Sequence, residues 1–136
     1  DQIGDPQTVY YHPVDEFVAD FIGESNFLRG KLASIDGESG QVMVEGRAIE
    51  VAERNGKAVG DDVTLVLRPE SAHVADEGAL PCEVVLSRFM GHYQNYHVRC
   101  GEHLVKVTEF NPKNKRIYEV GEKAFLDFHA SDVHVL

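Results

Sequence analysis

The sequence predicts a mainly β protein, folded as a small barrel or sandwich from two related lobes, with a short helical segment at the N-terminus. Three observations support this fold class: short segments of β-branched or alternating residues, Gly, Asp and Asn turns between them, and an internal repeat. Closely spaced short strands favour a barrel or sandwich over an α/β sheet. The predicted strands are residues 27–35, 41–45, 47–53, 62–68, 82–89, 95–100, 103–110 and 123–128.

Residues 1–23 have a helical pattern instead. Asp5 and Pro6 start a short helix, Pro13 starts a second one, and Gly23 is its expected C-cap. The apolar residues of the second helix fall at helical spacing on one stripe, which comprises Val14, Phe17, Val18, Phe21 and Ile22. Because so short a helix is unstable alone in water, we expect the stripe to dock on another surface. The predicted division is linker helices at 1–23 and a β domain at 24–136.

An internal repeat divides the β domain. Residues 59–74 align without a gap with residues 120–135, and Gly30 and Gly91 keep the same offset upstream. Each copy contains a Gly-acid turn, an alternating strand, a short acidic turn and an apolar exit. This shared order of features predicts two lobes, about 24–78 and 79–136, packed or interleaved into one unit. Each lobe is about the size of an OB-like barrel.

The composition argues against several function classes. A formal net charge of −10, with 13 basic against 23 acidic residues, disfavours nucleic acid as a partner. Apolar runs are only a few residues long, so we expect no direct membrane insertion. The sequence also opens without a secretory leader pattern. Cys82 and Cys100 lack a CxxC partner and are expected to be reduced, strand-borne cysteines of a cytosolic protein.

Catalytic motifs are missing from the sequence. It contains no Gly-rich phosphate-binding loop, no G-x-S-x-G elbow and no H-E-x-x-H zinc motif. We therefore expect that this chain is not an enzyme. The closest approach to a metal site is His97 with His103, because a hairpin between 96–100 and 103–107 would bring them near each other. The alternative places both histidines on the polar face of the strands, and we expect no metal.

A ligand site is the second candidate. Tyr93, Tyr96 and Glu109, or Glu102 in place of Glu109, offer aromatic faces and a carboxylate to an organic cation. The alternative is a hairpin with exposed tyrosines.

The N-terminal pattern resembles the end of the nucleotide-binding domain of ABC importers. The matching residues are Gln2–Pro6, Val9, Tyr10, His12, Pro13, Phe17–Gly23 and Asn26. Leu67–Glu70 resembles the R-P-E motif of the TOBE (transport-associated OB) region that follows that domain, and Asp132–Leu136 resembles the end of this region. The chain thus resembles the C-terminal TOBE regulatory region of an ABC importer ATP-binding subunit.

Two segments specify the resemblance further. Leu65–Glu70 and Val107–Asn111 look most like the spermidine/putrescine type, although iron(III) and sugar importers share the scaffold. The resemblance implies a non-catalytic accessory domain that supports dimerisation of the ATPase subunits and senses solute. It places ATP and Mg²⁺ in an upstream domain, so no cofactor is expected in this chain. The alternative function is a stand-alone small-solute or metal-binding sensor.

The resemblance also implies partners and residue roles. The partners are the ABC ATPase core, a second copy of the subunit and, through the parent complex, the membrane permease. The implied location is the cytoplasm, peripheral to the inner membrane. Phe17, Val18, Phe21 and Ile22 would contact the ATPase core. Arg68 and Glu70 would orient the turn after their strand.

Overall fold

The computed structural model describes residues 25–136, which form ten β-strands and three short 3-10 turns. The strands are β1 (Asn26–Asp36), β2 (Ser39–Val44), β3 (Arg47–Val51), β4 (Asp62–Leu67), β5 (His73–Ala75), β6 (Leu80–Phe89), β7 (Tyr93–Cys100), β8 (His103–Phe110), β9 (Lys123–Asp127) and β10 (Val133–Val135). The 3-10 turns are Pro69–Ser71, Pro112–Asn114 and Ala130–Asp132. The predicted mainly β fold is confirmed. The helical segment at 1–23, with Phe17, Val18, Phe21 and Ile22, lies outside the described residues.

The strands form two five-stranded sheets, one with the order β10-β4-β1-β2-β3 and the other β5-β9-β6-β7-β8. Every strand pair is antiparallel, and a β-bulge bends β1 between Leu32 and Ser34 and β6 between Val84 and Leu86. A bulge increases the local twist, which helps each sheet to curl around the core. Within residues 25–136, no helix is long and apolar enough to cross a membrane.

The two lobes exchange their last strands. β5 follows the first lobe but pairs with β9 of the second, through Val74 opposite Leu126. β10 follows the second lobe but pairs with β4 of the first, through His134 opposite Val66. Because each sheet contains a strand from the other lobe, the predicted limits at 78 and 79 do not separate two independent sheets.

The repeat has matching hydrogen bonds in both lobes. The backbone of Leu32 bonds to Gly60 and Asp61, and the backbone of Val84 bonds to Gly121 and Glu122 in the same way, at 2.8 and 2.9 Å. Leu32 is therefore equivalent to Val84. The number of residues that separates these two positions is smaller than the number that separates 59–74 from 120–135.

The predicted equivalence of Gly30 and Gly91 is wrong. Gly30 lies within β1, where an added Cβ would stand 2.4 Å from the Met43 carbonyl oxygen. Gly91 lies in the turn after β6, at a φ of 91°. The two glycines serve different needs, because one allows close strand packing and the other a left-handed turn. The stretch from the first strand to the Gly-acid turn is longer in the second lobe, residues 84–121, than in the first, residues 32–60, and this changes the repeat offset upstream of β4.

One apolar core lies between the sheets and draws on both lobes. It includes Leu28, Leu65, Leu80 and Leu126, all fully buried. The strands alternate between buried and exposed residues, so a single face of each sheet contributes to this core. The exchanged strands contribute Val74, Val133 and Val135 to the same cluster.

Side chains also join the two sheets at the edge of β8. The buried Asn26 amide donates to the Lys106 carbonyl oxygen and accepts from the Lys106 N–H, both at 2.8 Å. The Asn26 side chain thus replaces the hydrogen bonds that a neighbouring strand would make, because it pairs with both the N–H and the carbonyl oxygen of Lys106 on the edge strand β8.

Candidate ligand-binding cleft

A cleft opens at the start of β7 and the end of β8, where the loop 111–118 folds over the sheet. Its volume is about 260 Å³. β7 turns its even-numbered residues inward and β8 its odd-numbered ones, so Gln94 and Glu109 face each other directly across the pair. Asn111, at a φ of 56°, and the buried Pro112 turn the chain out of β8 into the covering loop.

Glu109 is the best-bound carboxylate of the cleft. It is 6% exposed. Oε2 accepts the Val74 N–H at 3.0 Å, while Oε1 lies 3.0 Å from both the Lys115 ammonium and His73 Nδ1. Because Val74 belongs to β5 and Glu109 to β8, this side chain joins the two edge strands of its sheet. The Lys115 contact also demonstrates that a primary ammonium fits beside Glu109.

Gln94 lines the cleft and contains a buried acceptor without a hydrogen-bond partner. Its side chain is 3% exposed, and Nε2 donates to Ser87 Oγ at 2.9 Å. Ser87 donates in turn to the Tyr118 carbonyl oxygen, which fixes the orientation of the Gln94 amide. Oε1 is buried without a hydrogen-bond partner. A buried acceptor without a donor costs about 1–3 kcal/mol, so a ligand N–H or O–H at this point would recover that cost.

Two tyrosines form the aromatic side of the cleft. Tyr96 and Tyr118 meet edge to face with ring centroids 6.3 Å apart. The Tyr96 oxygen accepts the Tyr118 N–H at 3.0 Å, and Tyr118 donates its hydroxyl to Asp76 at 2.6 Å. Burial raises the pKa of Tyr96, with Glu109 adding to the effect. Burial also raises the pKa of Tyr118, together with its bond to Asp76. Both rings therefore remain neutral hydrogen-bonding groups at physiological pH.

The charged side chains around the cleft pair with one another. Arg116 lies 4.1 Å from the centre of the Tyr118 ring and bonds to Asp76 and Glu122 at 3.3 and 2.6 Å. Lys115 compensates Glu109, but its side chain is 45% exposed. A ligand cation can take the place of Lys115 at low cost, because an exposed lysine returns to water.

Two of the three predicted ligand residues meet here. Tyr96 and Glu109 both line the cleft. Tyr93 does not, because β7 alternation turns it to the opposite face, where it contacts Phe110 with ring centroids 6.1 Å apart. Glu102 lies at the far end of β8, in the turn before it. The structure adds Gln94, Asp76 and Tyr118 to the site. Asp76 comes from the loop after β5, and Tyr118 comes from the loop that follows β8.

The two metal candidates do not converge. His97 faces Lys106 across the β7–β8 pair, whereas His103 faces Cys100. Burial lowers the pKa of His97, and the charges of Lys106 and Arg88 lower it further. His103 accepts the Arg29 N–H at 3.1 Å through Nε2 and contacts Glu45 at 2.8 Å through Nδ1. Among residues 25–136, neither belongs to a group of three metal-ligand side chains.

Arg68 and Glu70 form an ion pair across the 69–71 turn. Arg68 Nε donates to Glu70 Oε2 at 2.7 Å. Burial favours a higher pKa for Glu70, but the Arg68 bond and the backbone bond at Glu70 outweigh it and lower that pKa. Their role in orienting the turn stays a prediction, since an exposed pair of this kind contributes about 0–1 kcal/mol.

The fold has a counterpart among solved structures. A structure of ModG, described as a cytoplasmic molybdate-binding protein, superposes with a TM-score of 0.67 at 13% sequence identity, covering 81% of this chain and 94% of that one. At this identity the likeness concerns the fold alone. It supports the predicted OB-like fold.

The sequence comparison is more specific. The model of the TOBE domain matches residues 65–136. The chain belongs to the TOBE domain family, as the resemblance of its motifs predicted.

Longer relatives match almost the whole chain. The "Spermidine/putrescine import ATP-binding protein PotA 1" of Pseudomonas aeruginosa is 34% identical over 139 residues, and PotA of Ruegeria pomeroyi is 33% identical over 140 residues. Each match covers 99% of this chain but only 38% of the relative. The chain thus spans under two fifths of the length of these proteins. This supports an accessory C-terminal role of the kind that TOBE domains have in ABC importer ATPases.

Proposed function

We propose that this chain is the non-catalytic regulatory domain of an ABC importer ATPase and that it senses an imported organic amine in the cleft. The observation that carries the proposal is the buried, unpaired Oε1 of Gln94, a residue that pairs with Glu109 across β7 and β8. A ligand with more than one N–H donor can donate a hydrogen bond to Gln94 Oε1 and another to the Glu109 carboxylate. The Tyr96 and Tyr118 rings flank the same space and favour a cation.

The relatives suggest the chemical class of this amine. Spermidine and putrescine contain primary ammonium groups on flexible apolar chains, and a primary ammonium from Lys115 already lies against Glu109. In this proposal one ammonium replaces Lys115 and another N–H reaches Gln94. Binding then regulates the ATPase only if the affinity differs between its conformational states. ATP and Mg²⁺ belong to the ATPase core in this proposal.

Calorimetric titration of the chain with putrescine and spermidine tests the site. We expect both amines to release or absorb heat and a disaccharide or a ferric chelate to give none. The Gln94→Leu variant is expected to bind about tenfold more weakly, because it loses one buried hydrogen bond to the ligand. Gln41→Leu, at an exposed position of β2, is the matched control and is expected to bind normally. Absence of heat with every amine would remove the sensing function.

A second function, dimerisation of the ATPase subunits, is favoured by an apolar patch at one end of the β6–β7–β8 meander. We name Phe89, Met90, Tyr93 and Phe110 the end patch. In the strand register Phe89 lies on the sheet face of Gln94, whereas Tyr93 and Phe110 lie on the opposite face, so the end patch extends around the end of the meander. Phe89 is 61% exposed, Met90 44% and Phe110 49%. Exposed apolar residues grouped in this way are typical of interaction surfaces. In this proposal, the end patch packs against a second copy of the subunit.

Sedimentation equilibrium tests the dimer. We expect the chain to self-associate, and the double variant Phe89→Ser with Phe110→Ser to shift it to monomer, because the patch loses its apolar area. Leu104→Ser changes another exposed apolar residue at the opposite end of β8, 53% exposed, and is expected to leave the association unchanged. Equal association of both variants would rule out the end patch as the contact.

A further inference from the structure

Cys82 and Cys100 are cross-strand neighbours inside the second sheet. Both thiols are free and buried, at 6% and 1% exposure. In the β6–β7 register Glu83 faces Arg99 and Val84 faces Val98. The next pair along these antiparallel strands places Cys82 opposite Cys100, and both side chains point to the core.

The backbone hydrogen bonds of Val84, two residues after Cys82 on β6, show whether Cys82 and Cys100 form a hydrogen-bonded or a non-hydrogen-bonded pair. Val84 directs its N–H and its carbonyl toward Glu122 and Gly121, away from β7. Alternate residues of a strand share this direction, so Cys82 also directs its backbone groups toward β9. Cys82 and Cys100 therefore form a non-hydrogen-bonded pair, in which Cα atoms stand about 4.5 Å apart. Disulfides span Cα separations of about 4.4–6.8 Å, so a bond can close without moving either strand.

We propose that Cys82 and Cys100 are a modification site, a dithiol that peroxide converts into an intramolecular cross-strand disulfide. The contact between the thiols selects the sulfur that reacts first. The hydrogen bond from Cys100 to Cys82 lowers the pKa of Cys82. The same bond and burial raise the pKa of Cys100. Cys82, which is also the more exposed of the two, therefore attacks the oxidant, because the thiolate is the nucleophile.

The chemistry balances in two steps. Cys82 sulfur attacks one peroxide oxygen, the O–O bond breaks, and Cys82 sulfenic acid forms with release of one water. Cys100 sulfur then attacks the sulfenic sulfur, its proton leaves with the hydroxyl as a second water, and the S–S bond forms. Peroxide is reduced and the two thiols are oxidised. A low-molecular-weight thiol reverses the change by exchange through a mixed disulfide.

The link has a structural consequence that is independent of the proposed ligand. It fixes β6 to β7, the neighbouring strands that contain Ser87 and Gln94 respectively. A cross-link restricts the unfolded chain, so the oxidised form is expected to melt at a higher temperature. The core already contains both sulfurs, which leaves little strain to oppose this gain.

Peroxide treatment of the folded chain tests the site. After oxidation the protein is unfolded, alkylated at any remaining thiol, and digested with trypsin without reductant. We expect the peptides that contain Cys82 and Cys100 to remain joined although Arg88 and Arg99 between them are cleaved. The intact mass is expected to fall by two hydrogens, and dithiothreitol should restore it and lower the melting temperature again.

Cys82→Ala and Cys100→Ala each remove one partner, so both variants should form no link and keep one thiol that can be alkylated. A parallel oxidation in denaturant serves as a reference that does not depend on either variant folding. Linked peptides at a higher yield from the folded chain than from the unfolded chain support the site. A link that forms only in denaturant, or sulfinic acid in its place, would overturn it.

Discussion

Replacing Val133 and Val135 together by alanine is expected to lower the free energy of unfolding by about 3–5 kcal/mol. Both side chains come from β10, are 5% and 4% exposed, and belong to the common core. The double variant removes four buried methyl groups and leaves cavities next to β4. Since a domain of this size is stable by about 5–15 kcal/mol, the change consumes a large share of its stability.

The chain offers a matched control for this prediction. Val59 and Val120 occupy equivalent repeat positions but are 58% and 62% exposed. The double variant Val59→Ala with Val120→Ala deletes the same atoms, and we expect its unfolding free energy to change by about 0.5 kcal/mol or less. Urea unfolding followed by circular dichroism measures both variants. If the two double variants unfold at the same urea concentration, β10 is not an integral part of the first sheet.

The sequence predicts most of the strands but not the exchange of β5 and β10 between the two lobes. All eight predicted strands are present, because each has an alternating or β-branched run long enough to recognise. The sequence does not predict β5 and β10, because three residues are too few to show a period of two. The repeat predicts equivalent strands, but it does not specify whether a last strand pairs within its own lobe or with the other. Packing between lobes decides that choice.

The cleft was predictable only in part for a similar reason. Tyr96 and Glu109 lie on neighbouring strands, so the hairpin that brings them together could be read from local sequence. The sequence alone does not show which strand face is inward, so it predicts Tyr93 as a ligand residue as well as Tyr96. Asp76 and Tyr118 approach through loops, and Gln94 becomes notable only once its Oε1 is seen to lack a donor. Alternation along β7 is the signal that could have selected Gln94 with Tyr96.

Replacing Asn26 by alanine is expected to lower the free energy of unfolding by about 2–4 kcal/mol. The substitution removes both hydrogen bonds to Lys106 and leaves the N–H and the carbonyl of this edge residue unpaired. Each unpaired backbone group costs about 1–3 kcal/mol when it stays buried. Asn95→Ala is the control, because Asn95 lies on the outward face of β7, and we expect a change of about 0.5 kcal/mol or less.

The Asn26→Asp variant separates the hydrogen bonds from the volume of the side chain. An ionised carboxylate accepts the Lys106 N–H but repels the Lys106 carbonyl oxygen, whereas a protonated carboxyl can donate to that oxygen. Folding therefore favours the protonated form and raises the pKa of the introduced carboxyl above its unfolded value. The stability it contributes is present at low pH and is lost as pH rises through the folded pKa. Unfolding of this variant relative to the original chain, measured between pH 4 and pH 8, is expected to show this loss. If the free energy of unfolding depends on pH in the same way in both proteins, the Asn26 side chain does not both donate to Lys106 and accept from it.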